Sequence, residues 1–188
     1  MKKGLLIIYS GPSGVGKGTV REEFINDKDL NLIYSISLTT RAPRVGEVRD
    51  KDYFFVNQEE FDEAVANNKL LEHASFVGNS YGTPRDYVEK MRNQGYNVIL
   101  EIEVEGAKQI MKNTDDYLSI FLVPPSLHEL ERRIRSRQTE SEEVIQKRME
   151  KARNELDVVA DYHYAVVNTT PKKAAQRIRK IILDNIKD

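Results

Sequence analysis

Residues 5–19 read LLIIYSGPSGVGKGT, and this stretch decides the fold. An apolar run from Leu5 to Tyr9 ends at Ser10. A glycine-rich segment follows, Gly11-Pro12-Ser13-Gly14-Val15-Gly16-Lys17, and then Gly18, Thr19 and the helix-forming Val20-Arg21-Glu22-Glu23-Phe24. Strand, glycine turn, lysine and helix in this order make a phosphate-binding loop. Glycines let the backbone adopt positive φ and approach a polyphosphate closely. The loop's N–H groups and the start of the helix then form an anion nest, and Lys17 adds a mobile ammonium. One position departs from the strict pattern. Gly18 follows Lys17 where a serine or threonine would place a hydroxyl on Mg²⁺.

The rest of the composition narrows the function classes. The 188 residues suffice for one core with small inserted lobes. A net charge of −1 gives no global basic field for nucleic acid or a membrane surface, so any anion site must come from local clustering. The absence of cysteine excludes disulfides and thiolate chemistry, and His73, His128 and His163 have no metal-ligand spacing. No apolar run approaches membrane-spanning length, and the N-terminal run flows directly into the loop, so cytoplasmic residence is expected.

Working outward, a helix is expected over residues 16–26 and a strand over 32–36. Pro43 makes residues 37–44 irregular and leaves Arg41 and Arg44 among hydroxyls. A short strand follows at 53–56. Asn57 or a neighbour caps a helix over 59–67, and a strand carrying Glu72 spans 70–77. Residues 78–82 read as a turn. Thr83 then caps a helix with Pro84 in its first position, ended by Gly95. Near-continuous apolar runs at 97–102 and 118–123 are buried parallel strands. Each is followed by a helix, to about residue 113 and from Ser126 to about 136. A charged helix over 141–160, a strand over 164–167 and an amphipathic helix over 171–186 complete the chain.

Buried strands alternating with helices define an α/β fold, a parallel sheet flanked by helices, with ligands beyond the carboxyl ends of the strands. Residues 37–86 and 126–158 break the alternation and read as insertions: a mixed α/β lobe and a helical lid. The core is then 1–36, 87–125 and 159–188.

The motifs GPSGVGKGT (11–19), SLTTRAPR (37–44), DYFF (52–55), GNSYGT (78–83) and RIRSRQTE (133–140) resemble guanylate kinases, in the right order along nearly the whole chain. The resemblance implies transfer of the γ-phosphate of ATP to GMP, with Mg²⁺ as cofactor, on a P-loop core with a GMP-binding lobe and a lid. It assigns Gly11, Pro12, Ser13, Gly14, Val15, Gly16, Lys17, Gly18 and Thr19 to ATP, together with Arg133, Arg137 and Asn168. Arg41, Arg44, Tyr53 and Tyr81 are implied to hold the GMP phosphate, with Ser37, Glu72 and Thr83 on the base and Glu101 and Glu103 also in the GMP-binding set. The catalytic set implied is Lys17, Arg41, Arg133, Arg137 and Arg148. Three positions depart from the family pattern: Glu103 stands for a usual Asp, Glu105 for a common Gln, and Gln138 for a usual Gly. No metal ligand is assigned, and Mg²⁺ is expected to be held mainly by nucleotide phosphates and water.

These assignments make chemical sense. Guanidinium forks match phosphate oxygens. A carboxylate at Glu72 accepts two parallel bonds from guanine's N1–H and 2-amino group, which adenine cannot supply. Two other functions compete: a kinase for AMP or another phosphorylated acceptor, and a non-catalytic scaffold domain that binds phosphorylated peptides. Lys17 and the lid arginines argue against the scaffold. No nucleic-acid or membrane partner is implied, and homo-oligomerisation is left open.

Overall fold

A computed structural model of the chain describes residues 2–76, 78–136 and 141–186. A five-stranded, all-parallel sheet forms the centre: β1 (Leu6–Ser10), β2 (Leu32–Tyr34), β7 (Asn97–Glu101), β8 (Leu118–Val123) and β9 (Tyr164–Val167), in the spatial order β2-β7-β1-β8-β9. Along β1, Leu6 pairs with Val98 on one side, and Ile7 pairs with Leu118 on the other. Alternate side chains enter two different cores. Ile7 and Tyr9 pack with Val20, Phe24, Ile120, Leu122 and Ile178, while Leu6 and Ile8 pack with Val88, Leu100, Ala107 and Ile110. Burial on both faces explains why this strand is apolar throughout rather than alternating. Each such residue contributes about 1.5–3 kcal/mol of transfer free energy.

The helices cover the sheet. They are α1 (Lys17–Glu22), α3 (Arg85–Asn93), α4 (Val104–Asn113), α5 (Leu127–Ser136), α6 (Glu142–Leu156) and α7 (Pro171–Ile186). Asn97, buried at the start of β7, bonds Leu5 N–H at 2.8 Å and the Leu30 carbonyl at 2.7 Å, tying three segments at the base of the sheet. Arg92 in α3 is 3% exposed and donates to the Gly4 carbonyl at 2.8 Å, with Glu89 and Asp116 balancing its charge.

A second sheet is built wholly from residues 38–84: β3 (Leu38–Thr39), β4 (Phe54–Phe55), β5 (Leu70–Phe76) and β6 (Asn79–Pro84), in the order β4-β3-β6-β5. Helix α2 (Gln58–Ala66) packs Phe61 and Ala64 onto Leu70. Its expected cap is a reciprocal box: Glu60 N–H donates to Asn57 Oδ1, and Asn57 N–H donates to Glu60 Oε2, both at 2.8 Å.

Several sequence expectations need correction. Helix α1 stops at Glu22, where the chain tightens into turns, well short of residue 26. Residues 79–84, expected as turn and helix cap, are a strand. β6 pairs antiparallel with both β5 and β3, and this pairing outweighs the turn propensity of Gly78, Asn79 and Gly82. Thr83 therefore lies in the sheet and caps nothing, and Pro84 precedes α3 rather than opening it. The irregular segment at 37–44 contains strand β3, which completes the lobe's sheet. Helix α6 ends at Leu156, followed by a short 3-10 turn over Val159–Asp161.

Candidate functional site

The glycine loop leaves the carboxyl end of β1 in the middle of the sheet. Gly14 and Gly16 have φ of 87° and 96°, values that a side chain disfavours. Packing reinforces the need at Gly14, where a Cβ would fall 2.8 Å from Ile134 Cγ1 of α5. Gly11 is excluded from change on other grounds, because its Cβ would meet the Leu122 carbonyl at 2.5 Å. Lys17 folds back over the loop and donates to the carbonyls of Gly11 (2.5 Å) and Pro12 (3.4 Å). Burial holds its pKa below the ordinary lysine value, while the carboxylates of Glu101, Glu155 and Glu103 pull it back up. Gly18 faces open space and Thr19 is exposed, both in the first turn of α1.

Helices α5 and α6 close on this loop. Arg148 of α6 donates to Ser13 Oγ at 2.7 Å. Arg133 of α5 reaches the Val15 carbonyl at 3.2 Å and the Asn168 carbonyl at 3.1 Å, and Asn168 Nδ2 donates to the same Val15 carbonyl at 2.8 Å. Glu129 accepts from Arg132 and Arg133, and those bonds hold its carboxyl down to about 2. Lys151 of α6 bridges to Glu103 at 3.0 Å. Arg137 and Gln138 lie outside the described residues.

A cavity of about 400 Å³ opens between the ends of β2 and β7 and the second sheet. Six of the residues expected around a nucleoside monophosphate line it: Ser37, Tyr53, Glu72, Tyr81, Glu101 and Glu103. Glu72 is 7% exposed, and its Oε1 accepts from Thr83 Oγ1 at 2.6 Å. Burial raises its pKa above the usual carboxylate value, against the lowering effect of the Thr83 bonds. Gly106, at the start of α4, gives the carboxylate its room, because a Cβ there would sit 2.6 Å from Glu72 Oε2. Thr83 thus stands behind the carboxylate instead of on the cavity wall. Glu101 is paired with Arg21 of α1, whose guanidinium lies 4.4 Å from the centre of the Tyr34 ring.

Arg41 sits beside the cavity, not on its lining. Its guanidinium lies over the Tyr53 ring at 5.2 Å and forks onto Glu47, with Nη1 to Oε2 at 3.0 Å and Nη2 to Oε1 at 2.8 Å. Arg44 is on the exposed loop that follows. Sequence reasoning missed Glu47, Arg21 and Tyr34. The usable signal for Glu47 was its place three residues past Arg44, across a glycine that turns the chain back. Arg21 is one helical turn from Lys17, a spacing that puts both on one side of α1.

A parallel sheet whose central strand feeds a glycine loop wrapped on a lysine, with arginines converging on that loop, defines a P-loop nucleotide-binding protein. The guanylate kinase family profile matches residues 3–185, and the chain belongs to that family. A guanylate kinase of Mesoplasma florum is 55% identical over 181 residues, covering 96% of this chain and 61% of that protein, so the chain spans about three-fifths of that relative's length. One from Streptococcus thermophilus is 51% identical over 181 residues, covering 96% of this chain and 87% of its own. The crystal structure of guanylate kinase from Anaplasma phagocytophilum superposes with a TM-score of 0.74 at 32% identity, covering 100% of this chain and 89% of that one.

Proposed function

We propose that this protein transfers the γ-phosphoryl group of ATP to GMP, giving ADP and GDP. The observation that carries the reading is the buried Glu72 carboxylate at the wall of a cavity that also holds Ser37, Tyr53 and Tyr81, beside a phosphate-binding loop. A desolvated carboxylate favours a ligand presenting two adjacent N–H donors, and guanine does so where adenine does not.

The acceptor is itself an anionic phosphate, so no general base is required. The protein's task is to align two mutually repelling anions and to neutralise charge on the moving group. On the donor side the loop from Gly11 to Thr19 cradles the ATP phosphates, with Lys17, Arg133, Arg137 and Arg148 supplying cations. Asn168, beside Val15, takes the adenine side. On the acceptor side Arg41, Arg44, Tyr53 and Tyr81 bind the GMP phosphate, and Ser37 and Glu72 face the base, with Thr83 holding the Glu72 carboxylate from behind. A single well-placed arginine is worth roughly 10³–10⁵ in rate in related phosphoryl transfers. The insertions at 37–86 and 126–158 serve as acceptor lobe and lid on a core of 1–36, 87–125 and 159–188.

Magnesium fits this donor set as a partner of the nucleotide more than of the protein. Gly18 supplies no hydroxyl, and the hard oxygens at hand are the carboxylates of Glu101 and Glu103, both close enough to Lys17 to raise its pKa. Those two carboxylates would hold the ion's water shell, and the ion would supply charge neutralisation across the transferring phosphates. Among the described residues no helix is long and apolar enough to cross a membrane.

The test is ATP turnover against a panel of nucleoside monophosphates. GMP is expected to be the preferred acceptor by a wide margin, and a preference for AMP or a pyrimidine nucleotide overturns the reading.

A further inference from the structure

We infer that Glu47 is the positioning residue for the acceptor-side arginine, Arg41, fixing which edge of its guanidinium a phosphate can use. This rests on the reading of Arg41 as a ligand of the acceptor phosphate.

The loop that carries Glu47 is exposed. Val45 and Val48 stand in solvent, and Gly46 has a φ of 91°. Glu47 is the exception. The turn closed by its own N–H onto the Arg44 carbonyl at 3.1 Å sends its side chain back, to an exposure of 20%, onto the cavity wall. There it accepts three bonds: two from the Arg41 fork and one from the Arg44 backbone N–H at 2.8 Å. These bonds hold its carboxyl below the usual range, the Arg41 bonds first.

The geometry limits what Arg41 has left. A guanidinium carries five N–H groups. Nη1 spends its two on Glu47 and on the Ala42 carbonyl at 2.9 Å, and Nη2 spends one on Glu47. The edge formed by Nε and the second Nη2 hydrogen is the one that can fork onto a phosphate. Tyr81, on the cavity wall, packs edge-on to the Tyr53 ring that lies beneath this guanidinium, the ring centres 6.3 Å apart. Glu47 therefore orients the cation toward the residues that flank the acceptor phosphate. Its negative charge also offsets the repulsion between Arg41 and Arg44.

A rival role is that Glu47 competes with phosphate for Arg41. The bond from the Arg44 N–H argues for orientation, since it keeps the carboxylate in place independently of Arg41. The two roles predict opposite signs. In steady-state assays Glu47→Gln, which keeps the shape but turns an amide toward the guanidinium, is expected to raise KM for GMP about ten-fold, with KM for ATP within about two-fold of wild type. Glu47→Ala is measured alongside and is expected to act in the same direction. In an Arg41→Ala background Glu47→Gln is expected to add less than about two-fold, because the effect runs through Arg41. A lowered KM for GMP, an unchanged KM while Arg41→Ala raises it, or equal effects in both backgrounds would each overturn the inference. If Arg41→Ala itself leaves KM for GMP unchanged, the reading of Arg41 has failed, a result distinct from failure at Glu47.

Discussion

Replacing Glu72 by glutamine probes the base pocket with minimal change in volume. In the wild-type protein Oε1 accepts from Thr83 Oγ1 at 2.6 Å and Oε2 sits against Gly106. A glutamine keeps the Thr83 bond by placing its amide oxygen there, which leaves the NH₂ for the ligand. Guanine then meets a donor with its own donors. One charge-assisted bond is lost, worth about 1.5–3 kcal/mol, and a buried donor is left unpaired at a similar cost. A total of about 3–6 kcal/mol corresponds to a fall of at least roughly 10²-fold in kcat/KM for GMP. The same NH₂ suits the N1 acceptor of adenine, so kcat/KM for AMP should rise. Coupled detection of ADP with each nucleotide measures both. Folding should not suffer. Burial raises the Glu72 pKa, so the native state binds its proton more tightly than the unfolded chain does. Its ionised form therefore costs stability at neutral pH, and that cost disappears as pH falls through the raised pKa. Glu72→Gln should accordingly match or exceed the wild-type melting temperature at pH 7. If kcat/KM for GMP stays within about three-fold of wild type, the carboxylate does not read the base and the reasoning is wrong.

Three further outcomes follow from the same geometry. As pH is lowered through the raised Glu72 pKa, kcat/KM for GMP should decline while KM for ATP holds, and the decline should be absent in Glu72→Gln; pH–rate profiles of both proteins check this. Lys17→Met keeps the length of the side chain but removes its ammonium, and single-turnover kinetics should show phosphoryl transfer slowed by at least roughly 10²-fold, with circular dichroism unchanged. Arg92→Ala strips the buried donor from the Gly4 carbonyl, and denaturant unfolding should show a loss of about 2–3 kcal/mol, without a change in nucleotide KM beyond that explained by unfolding.

The sheet was legible because β1, β7 and β8 are buried on both faces, and double burial writes itself as unbroken apolar runs next to helical periodicity. The second sheet was read less well. β3 and β4 are two residues each, too short for any periodic signal, and β6 carries glycines and a proline that read as a turn until its two partner strands are known. Thr83 shows the cost of a local reading. Its position before Pro84 suggested a helix cap, whereas tertiary pairing aims its hydroxyl at Glu72. The glycine loop needed only its own sequence, since backbone chemistry dictates it. Glu47 and Arg21 escaped notice because their importance comes from the guanidinium and carboxylate they meet in space, and a charged residue in a loop or on a helix is usually a solvated one.

Phosphorus NMR of a mixture of the protein, ATP, GMP and magnesium follows donor and acceptor at once. The γ-phosphate signal of ATP is predicted to decline as GDP and ADP grow in equal amounts, with no matching growth of inorganic phosphate. Persistence of the ATP signal, or its conversion to inorganic phosphate while GMP is unchanged, would contradict the assignment of GMP as the phosphoryl acceptor.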